Sequence, residues 1–439
     1  FMHPDIPAGS LLLDEEHFPD RAFRRFLIRY FLEEIVEISG EDSRSVVFLR
    51  KEDVDAVDFL SCEGEQIRSL DGIEYFPNLE TLDCSDNELT QLDLSRIPAL
   101  SELYCTDNQL TSLDLSGLEQ LRVLYCSRNQ LSELDTSSCK ELCYLDCSRN
   151  QLKTLHLGRH DDLGRLDCSQ NQLTALDVAG FCSLRALICS DNQLTRLDIL
   201  NSDSLEDLDC SQNQLTSLEV TNANDLKTLD CFWNEQLASL DVTCNPELER
   251  LICGGNLLTQ LDVRSNPALH CLSCGGTELK QLDVSQNPAL QELYCSFTRL
   301  TRLDVSHCPA LETLFCDHGQ LTQLDVSQNS HLKELCCDAN PMTSLDLQRH
   351  PNLNLSLSSL DQHLWLRTVT TDEQGRFDLS TLEGFDVERV LQWSAENAAV
   401  CRHFLTLNEG CNEAFANYQY DTLGSDLLWF TLKLCRPGV

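Results

Sequence analysis

Leu100-Ser101-Glu102-Leu103-Tyr104-Cys105-Thr106-Asp107-Asn108-Gln109-Leu110-Thr111-Ser112-Leu113-Asp114-Leu115 is one turn of a pattern that runs through most of this chain. Its frame Leu-x-x-Leu-x-Cys returns every 21 residues, at Cys84, Cys105, Cys126, Cys147, Cys168, Cys189, Cys210 and Cys231. An extra residue in Asn234-Glu235-Gln236 makes the next interval 22, and the series resumes at Cys253, Cys274, Cys295, Cys316 and Cys337. A fixed period of this length means that each repeat is one turn unable to bury its apolar face alone, so that neighbours stack into a solenoid. Stacked turns offer a broad surface and not a closed pocket.

Within the quoted unit Leu100, Leu103, Cys105, Leu110, Leu113 and Leu115 are the apolar positions and are expected to point into the coil. Leu103 and Cys105 stand two apart, which is strand spacing, so Tyr104 between them points outward. Each turn then donates one short strand, parallel to its neighbours. The predicted fold is an α/β solenoid: a right-handed leucine-rich repeat coil with a concave parallel β-sheet, a helical N-terminal cap and a β-rich C-terminal cap. Cysteine at the third inward place behaves as a small hydrophobe. Neighbouring strands lie about 4.8 Å apart, wide for a disulfide's Cβ separation, and the side chains are parallel, so a column of reduced thiols is expected. A metal or redox role for the ladder is the alternative.

Two polar columns accompany the thiols. Asn87, Asn108, Asn129, Asn150, Asn171, Asn192, Asn213, Asn234 and Asn256 follow the cysteines by three residues, where an amide can satisfy the backbone of the turn. The column lapses at Thr277, Thr298 and Gly319, where the coil is expected to bend or loosen, and returns at Asn340. The acidic column from Asp71 and Asp93 to Asp346, broken by His156 and Glu219, is expected to accept N–H groups of its own tight turns. Calcium bridging between turns is the sharper alternative, although no loop has D-x-D-x-D-G spacing.

An open solenoid needs its ends covered. Phe23, Phe26, Leu27, Tyr30 and Phe31 recur at helical spacing after Pro19, which suits a helix start, and Lys51-Glu52-Asp53-Val54 reads as a second short helix. Leu364 to Val369, Phe404 to Leu407 and Trp429 to Leu434 read as strands. The expected domains are a helical cap at 1–56, the repeats at 57–353 and a β-rich cap at 354–439.

A net charge of −39, from 71 acidic and 32 basic residues, argues against duplex nucleic acid as a partner. No stretch is long and apolar enough for membrane insertion. Of the 24 cysteines, Cys143, Cys271 and Cys336 are expected on or near the exposed sheet face, and Cys139, Cys182, Cys244 and Cys308 in the outer loops. Cys401 and Cys411 are spaced for a hairpin-sized disulfide, which would favour an extracellular setting.

On the outward face one cluster stands out: Phe232, Trp233, Ile252, Tyr294, Phe297, Phe315 and His318, from five turns, with Gly254-Gly255 and Gly275-Gly276 between them. Missing side chains leave a shallow dip flanked by aromatics, suited to a protein contact or to sugar-ring stacking. Packing of the rings on one another is the alternative. A second patch, Tyr104, Arg122, Tyr125, Arg128, Arg149 and Arg165, interrupts the acidic surface with an interface-like mixture; a solvated face is its bland reading. No G-x-S-x-G, H-E-x-x-H or phosphate loop is present, and His318 near Cys316 is no dyad if Cys316 points inward. No catalytic residue, metal ligand or cofactor is expected, and the chain is expected to be a monomer.

The unit Leu-x-x-Leu-x-Cys-Ser-x-Asn-Gln-Leu-Thr-x-Leu-Asp-Val-Ser resembles the cysteine-ladder repeats of internalin-J-type bacterial surface proteins. So do the front segments Phe18-Pro19-Asp20-Arg21-Ala22-Phe23-Arg24 and Gly72 to Leu79, and the tail segments Phe377-Asp378-Leu379-Ser380, Gly384-Phe385-Asp386-Val387 and Tyr418-Gln419-Tyr420-Asp421. The resemblance implies a secreted or cell-surface bacterial adhesin that binds protein or glycan, often on host tissue. Such relatives often carry an EF-hand-like loop after the cap helix; Ile38 to Ser45 lacks that pattern, so no calcium is inferred there. No LPxTG motif is read, so cell-wall attachment is not expected from this sequence. An intracellular scaffold or delivered effector is the alternative, kept open by the many thiols.

Overall fold

The computed structural model describes residues 9–39, 45–199, 202–350, 353–355, 366–382, 385–423 and 427–437. Residues 40–44, Gly384 and the start of the strand expected from Leu364 lie outside them. The chain divides into two compact units, Phe1–Asn213 and Gln214–Val439. In both, the repeats form the parallel-strand solenoid of a leucine-rich repeat protein. No described helix is long and apolar enough to cross a membrane.

In the first unit, three-residue strands from Phe59–Ser61 to Asp207–Asp209 pair in parallel, each in register with the rung before it. The central leucine of each strand is buried, as are the ladder thiols from Cys62 to Cys210. The strand is short because the residue two after each cysteine turns into the left-handed region: Asp86, Asp107, Arg128, Arg149, Gln170, Asp191 and Gln212 have φ of 51–54°. There the N–H still reaches the next rung, as from Asp86 to the Thr106 carbonyl at 2.9 Å. Asparagine then tucks inward. The Asn129 amide donates to the carbonyls of Cys105 and Cys126 at 2.9 and 3.2 Å and accepts from the Leu110 N–H at 2.9 Å. It thereby stitches its own rung to the preceding one.

On the opposite side of each turn the acidic column meets backbone N–H groups, as expected. Asp93, Asp114 and Asp135 each accept from the N–H two residues ahead at 2.9 Å. A second, minor parallel pairing runs there, with Glu133–Asp135 beside Thr154–His156.

The front of this unit is closed by the helix Arg21–Tyr30, which buries Phe23, Phe26 and Leu27. Its N-cap is Asp20, whose carboxylate accepts from Phe23 at 2.9 Å and also from the N–H groups of Arg68 and Ser69. Pro19 therefore stands one residue before the cap, outside the helix. Tyr30 stays exposed and donates to the Phe59 carbonyl at 3.1 Å. The second helix is Lys51–Asp55, and an antiparallel sheet of Leu11–Leu12, Ser45–Leu49 and Val36–Ser39 joins the helices.

In the second unit the strands run from Thr228–Asp230 to Asn354–Leu355. Pairing continues unbroken where the asparagine column lapses. Thr277 and Thr298 each donate a hydroxyl to the cysteine carbonyl of their own rung, at 2.7 and 2.8 Å. A further amide series adds bonds between turns in this unit, including the rungs of Thr277 and Thr298. Asn245, Asn266, Asn287 and Asn329 are fully buried, and each amide donates to two carbonyls of the preceding turn, Asn266 to Val242 and Asn245 at 2.9 and 2.8 Å. In the first unit the corresponding places are mostly apolar, as at Ile97, Leu118 and Phe181.

The tail of this unit is a sheet in the order Leu366–Thr370, Leu427–Cys435, Glu413–Asp421, Val390–Glu396, beside a smaller one of Arg376–Asp378, Phe404–Leu407 and Ala398–Cys401. Tyr418, Tyr420 and Phe430 are its buried centre. Tyr418 donates to the Thr343 carbonyl at 2.7 Å, which joins the tail to the last rungs.

Four cysteines stand where expected along the rung but are buried there. Cys271 and Cys336 lie on the sheet face yet are buried, Cys271 against Arg250 and Glu292 of the rungs on either side and Cys336 against Asp317 of the rung before it. Cys139 and Cys308 lie in the turns opposite the sheet but point inward, in the buried series of Ile97 and Asn245. No described cysteine, Cys401 and Cys411 included, is in a disulfide.

Burial pushes the ladder thiols up, Cys62, Cys105 and Cys274 to about 12. Thiols of the unfolded chain ionise near pH 8.5. Above that pH the unfolded state gives up protons that the folded state keeps, so stability falls as pH rises. The thermal midpoint is expected to decline steadily between about pH 9 and pH 12. In native protein at pH 8, Ellman's reagent should modify exposed Cys182, Cys244 and Cys401 at once and the ladder thiols only after denaturant is added. Fast labelling of ladder thiols would contradict the arrangement. Asn129→Ala, which strands several buried groups, should lower stability by about 2–3 kcal/mol, read from the denaturant midpoint.

Candidate functional site

All seven residues of the aromatic cluster lie in the second unit, and the structure joins six of them as three ring pairs. Phe232 and Trp233 stand 5.6 Å apart, Tyr294 and Phe315 5.4 Å apart edge to face, and Phe297 and His318 4.3 Å apart in a stack. Ile252 is half-buried in the strand between Asp230 and Ser273. Ring packing and exposure coexist here: Trp233 is 52% and Phe297 60% exposed.

The backbone explains both the exposure and the dip. Trp233, Phe297 and His318 occupy the left-handed position of their rungs, with φ of 58°, 56° and 52°. A bulky side chain there costs about 1 kcal/mol and is aimed away from the coil. In the two intervening rungs the same position is Gly255 and Gly276, each with φ of 67°. Their neighbours Gly254 and Gly275 are required by close packing, since a Cβ would come within 2.6 Å of the Gly275 carbonyl oxygen and 2.8 Å of the Ser296 carbonyl oxygen. Trp233 and Phe297 thus stand three rung spacings apart, roughly 14 Å at about 4.8 Å per rung; the Phe232 and Trp233 rings lie against Gly254 and Gly255, and the rung of Gly275 and Gly276 is left as a bare backbone floor.

In the first unit Tyr104 and Tyr125 stack at 5.1 Å, and Tyr125 stacks in turn on Tyr144 at 4.6 Å. Tyr144 is absent from the sequence-predicted patch because it stands two residues before the column read there; both places face outward on a strand. Burial and the Tyr144 hydroxyl push the Tyr125 phenol up. Arg128 is held by Asp107 at 3.5 Å across one rung, with both side chains about half exposed.

A buried group beside the aromatic wall was not anticipated. Asp317, Cys336 and Asp338 place one oxygen or sulfur atom each within 4.8 Å of one another. Their exposures are 4%, 3% and 0%. His318 shares a hydrogen bond of 2.8 Å with Asp317, and Cys336 donates to Asp338 at 3.3 Å. Burial raises the Asp317 carboxyl, but hydrogen bonds from Ser296, His318 and Cys336 outweigh it and hold the group below the ordinary carboxylate range. Burial, with Asp317 beside it, drives the Cys336 thiol well up. The signal was present in the sequence: serine, threonine, glycine or phenylalanine follows the ladder cysteine from Ser85 to Ser296, and aspartate does so at 317 and 338. The alternative of a Cys316–His318 dyad fails on direction, because Cys316 is buried in the ladder while the His318 ring stacks on Phe297.

Residues 77–120 and 98–139 match the family described as Leucine Rich repeats (2 copies). Over nearly its whole length the chain is similar to the functional domain of InlJ from Listeria monocytogenes, which includes a cysteine ladder. The two are 26% identical with a TM-score of 0.78, covering 97% of this chain and 98% of that one. An internalin, inlF, from Listeria monocytogenes shares the fold at 20% identity and TM-score 0.59, covering 82% and 100%. YopM, a leucine-rich effector protein from Yersinia pestis, is 26% identical with TM-score 0.56, covering 68% and 82%. No curated protein matches the sequence significantly. The chain has the fold of leucine-rich repeat proteins with a buried cysteine ladder, and it resembles InlJ.

Proposed function

We propose that this chain is a non-enzymatic recognition protein, a secreted or surface-displayed bacterial adhesin that engages a protein or glycan through the sheet face of its second unit. One observation carries this reading: exposed aromatic side chains, Trp233 and Phe297 with His318, flank two rungs stripped to glycine. Exposed aromatic side chains around a bare floor match the anatomy of binding hot spots and of sugar-stacking platforms. The likeness to InlJ supports surface display. The proposed organisation is a cap at 1–56, repeats at 57–353 and a β-rich cap at 354–439, with Tyr104, Arg122, Tyr125, Arg128, Arg149 and Arg165 as a secondary contact patch. The effector reading, with a host protein as partner, draws on the likeness to YopM and on the undisulfided thiols; a disulfide count on protein purified from its native source separates the two.

Binding to immobilised oligosaccharide arrays and to host surface-protein extracts tests the proposal. Trp233→Ala and Phe297→Ala should each weaken capture at least about tenfold, the loss of one hot-spot side chain. Gly276→Asn is the sharper variant. Its backbone suits asparagine and a Cβ there meets nothing closer than 3.5 Å, so the thermal midpoint should hold while the filled gap abolishes capture. Undiminished binding by all three variants would remove this face from the function.

A further inference from the structure

We propose that Asp317, Cys336 and Asp338 form a binding site for a divalent cation of the zinc class. The three donors come from two adjoining rungs, Asp317 from one and Cys336 with Asp338 from the next. Their ligand atoms already lie within 4.8 Å of one another. Around a tetrahedral zinc, with bonds of about 2.0–2.3 Å, donors stand roughly 3.3–3.8 Å apart. Rotamer adjustments that shorten the separations by at most about 1.5 Å close the difference.

The chemistry of the donors selects the ion. A thiolate with two carboxylates suits zinc or cobalt, whereas calcium and magnesium require oxygen donors alone. Three protein ligands leave a fourth position for water or for an atom of a bound partner. His318, bonded to Asp317 at 2.8 Å, is placed to orient that carboxylate from outside the coordination sphere. Because the same ring stacks on Phe297, an ion here would also fix one wall of the aromatic gap.

The repeat supplies an independent argument. Aspartate at this place is not needed to build a rung. The N–H of Asp107 reaches the Ser127 carbonyl at 3.1 Å, and those of Phe297 and His318 reach the carbonyls of Asp317 and Asp338 at 2.9 and 3.0 Å, the same bond with either residue type. Two buried carboxylates stacked one rung apart repel each other unless hydrogen-bond donors or a cation meet them, and a cation would meet both at once. The chain has replaced the residue its other rungs use with two acids, and has placed a thiol between them at a column that elsewhere carries none. This proposal stands apart from the ligand-recognition reading, and its test involves no ligand.

The experiment uses the full chain, stripped of metal by chelator and titrated with cobalt(II). One equivalent should produce a near-ultraviolet thiolate-to-cobalt charge-transfer band, bleached by zinc(II). Zinc should also raise the thermal midpoint in proportion to the logarithm of its concentration. Cys336→Ser should lose the band. Asp317→Ser and Asp338→Ser, which restore the residue of the other rungs and so preserve folding, should weaken zinc binding at least about tenfold, and His318→Ala by less. A wild-type chain without a saturable band, or a band that survives Cys336→Ser and so arises at an exposed thiol such as Cys182 or Cys244, overturns the proposal. So does an equal zinc-induced midpoint shift in the two serine variants.

Discussion

A rung of this protein cannot complete itself. It contributes a strand of three residues, a few inward side chains and a turn whose carbonyls and N–H groups are cut off from water. Buried backbone groups without partners each cost about 1–3 kcal/mol, so such a turn is untenable unless its neighbour supplies the bonds. The asparagine amide does this in the most compact way: its nitrogen bridges the cysteine carbonyls of two successive rungs and its oxygen takes an N–H from the earlier one. Once the amide must lie inside, the residue before it is forced outward through a left-handed bend, and the strand is held to three residues. The outward face and the bend that displays it are thus by-products of satisfying a few buried polar atoms.

Everything tied to the 21-residue period was legible from the chain itself. Leucines at the strand centres, thiols in a buried column, amides at the turn and carboxylates meeting their own backbone all follow from residues that must recur because each rung faces the same problem. What escaped sequence reading lies where rungs differ. Asn266 and Asn287 sit before prolines, yet they are buried amides that bond successive turns in the rungs where the first column gives way to Thr277 and Thr298. Cys271 and Cys336 occupy outward places and are buried all the same, since exposure on a sheet face depends on what the adjoining strands put beside it. The aromatic cluster was visible as composition. Its division into three ring pairs around a bare floor required the actual left-handed geometry.

The two units solve one problem with different materials. In the first, the loop-side interior is filled by Ile97, Leu118 and Phe181; in the second, by amides that leave Oδ1 atoms of Asn245, Asn266, Asn287 and Asn329 without a protein partner. Buried water is the usual companion of such atoms. The second unit also carries the glycine rungs, the large residues in strained backbone and the buried acids. Local departures from the repeat concentrate there, as they tend to do where a scaffold has been adapted to a task.

The left-handed residue of each rung has a consequence for how such a protein changes over generations. It contributes its backbone to cohesion and, His318 with its bond to Asp317 apart, its side chain to nothing inside, so aspartate, arginine, glutamine, tryptophan, phenylalanine, histidine, alanine and glycine all occur there with the same course of the chain. Mutation at that place is read almost entirely by whatever lies outside. Natural selection has in effect been handed a row of interchangeable letters, mounted at fixed spacing, on which a new partner can be spelled without rewriting the frame.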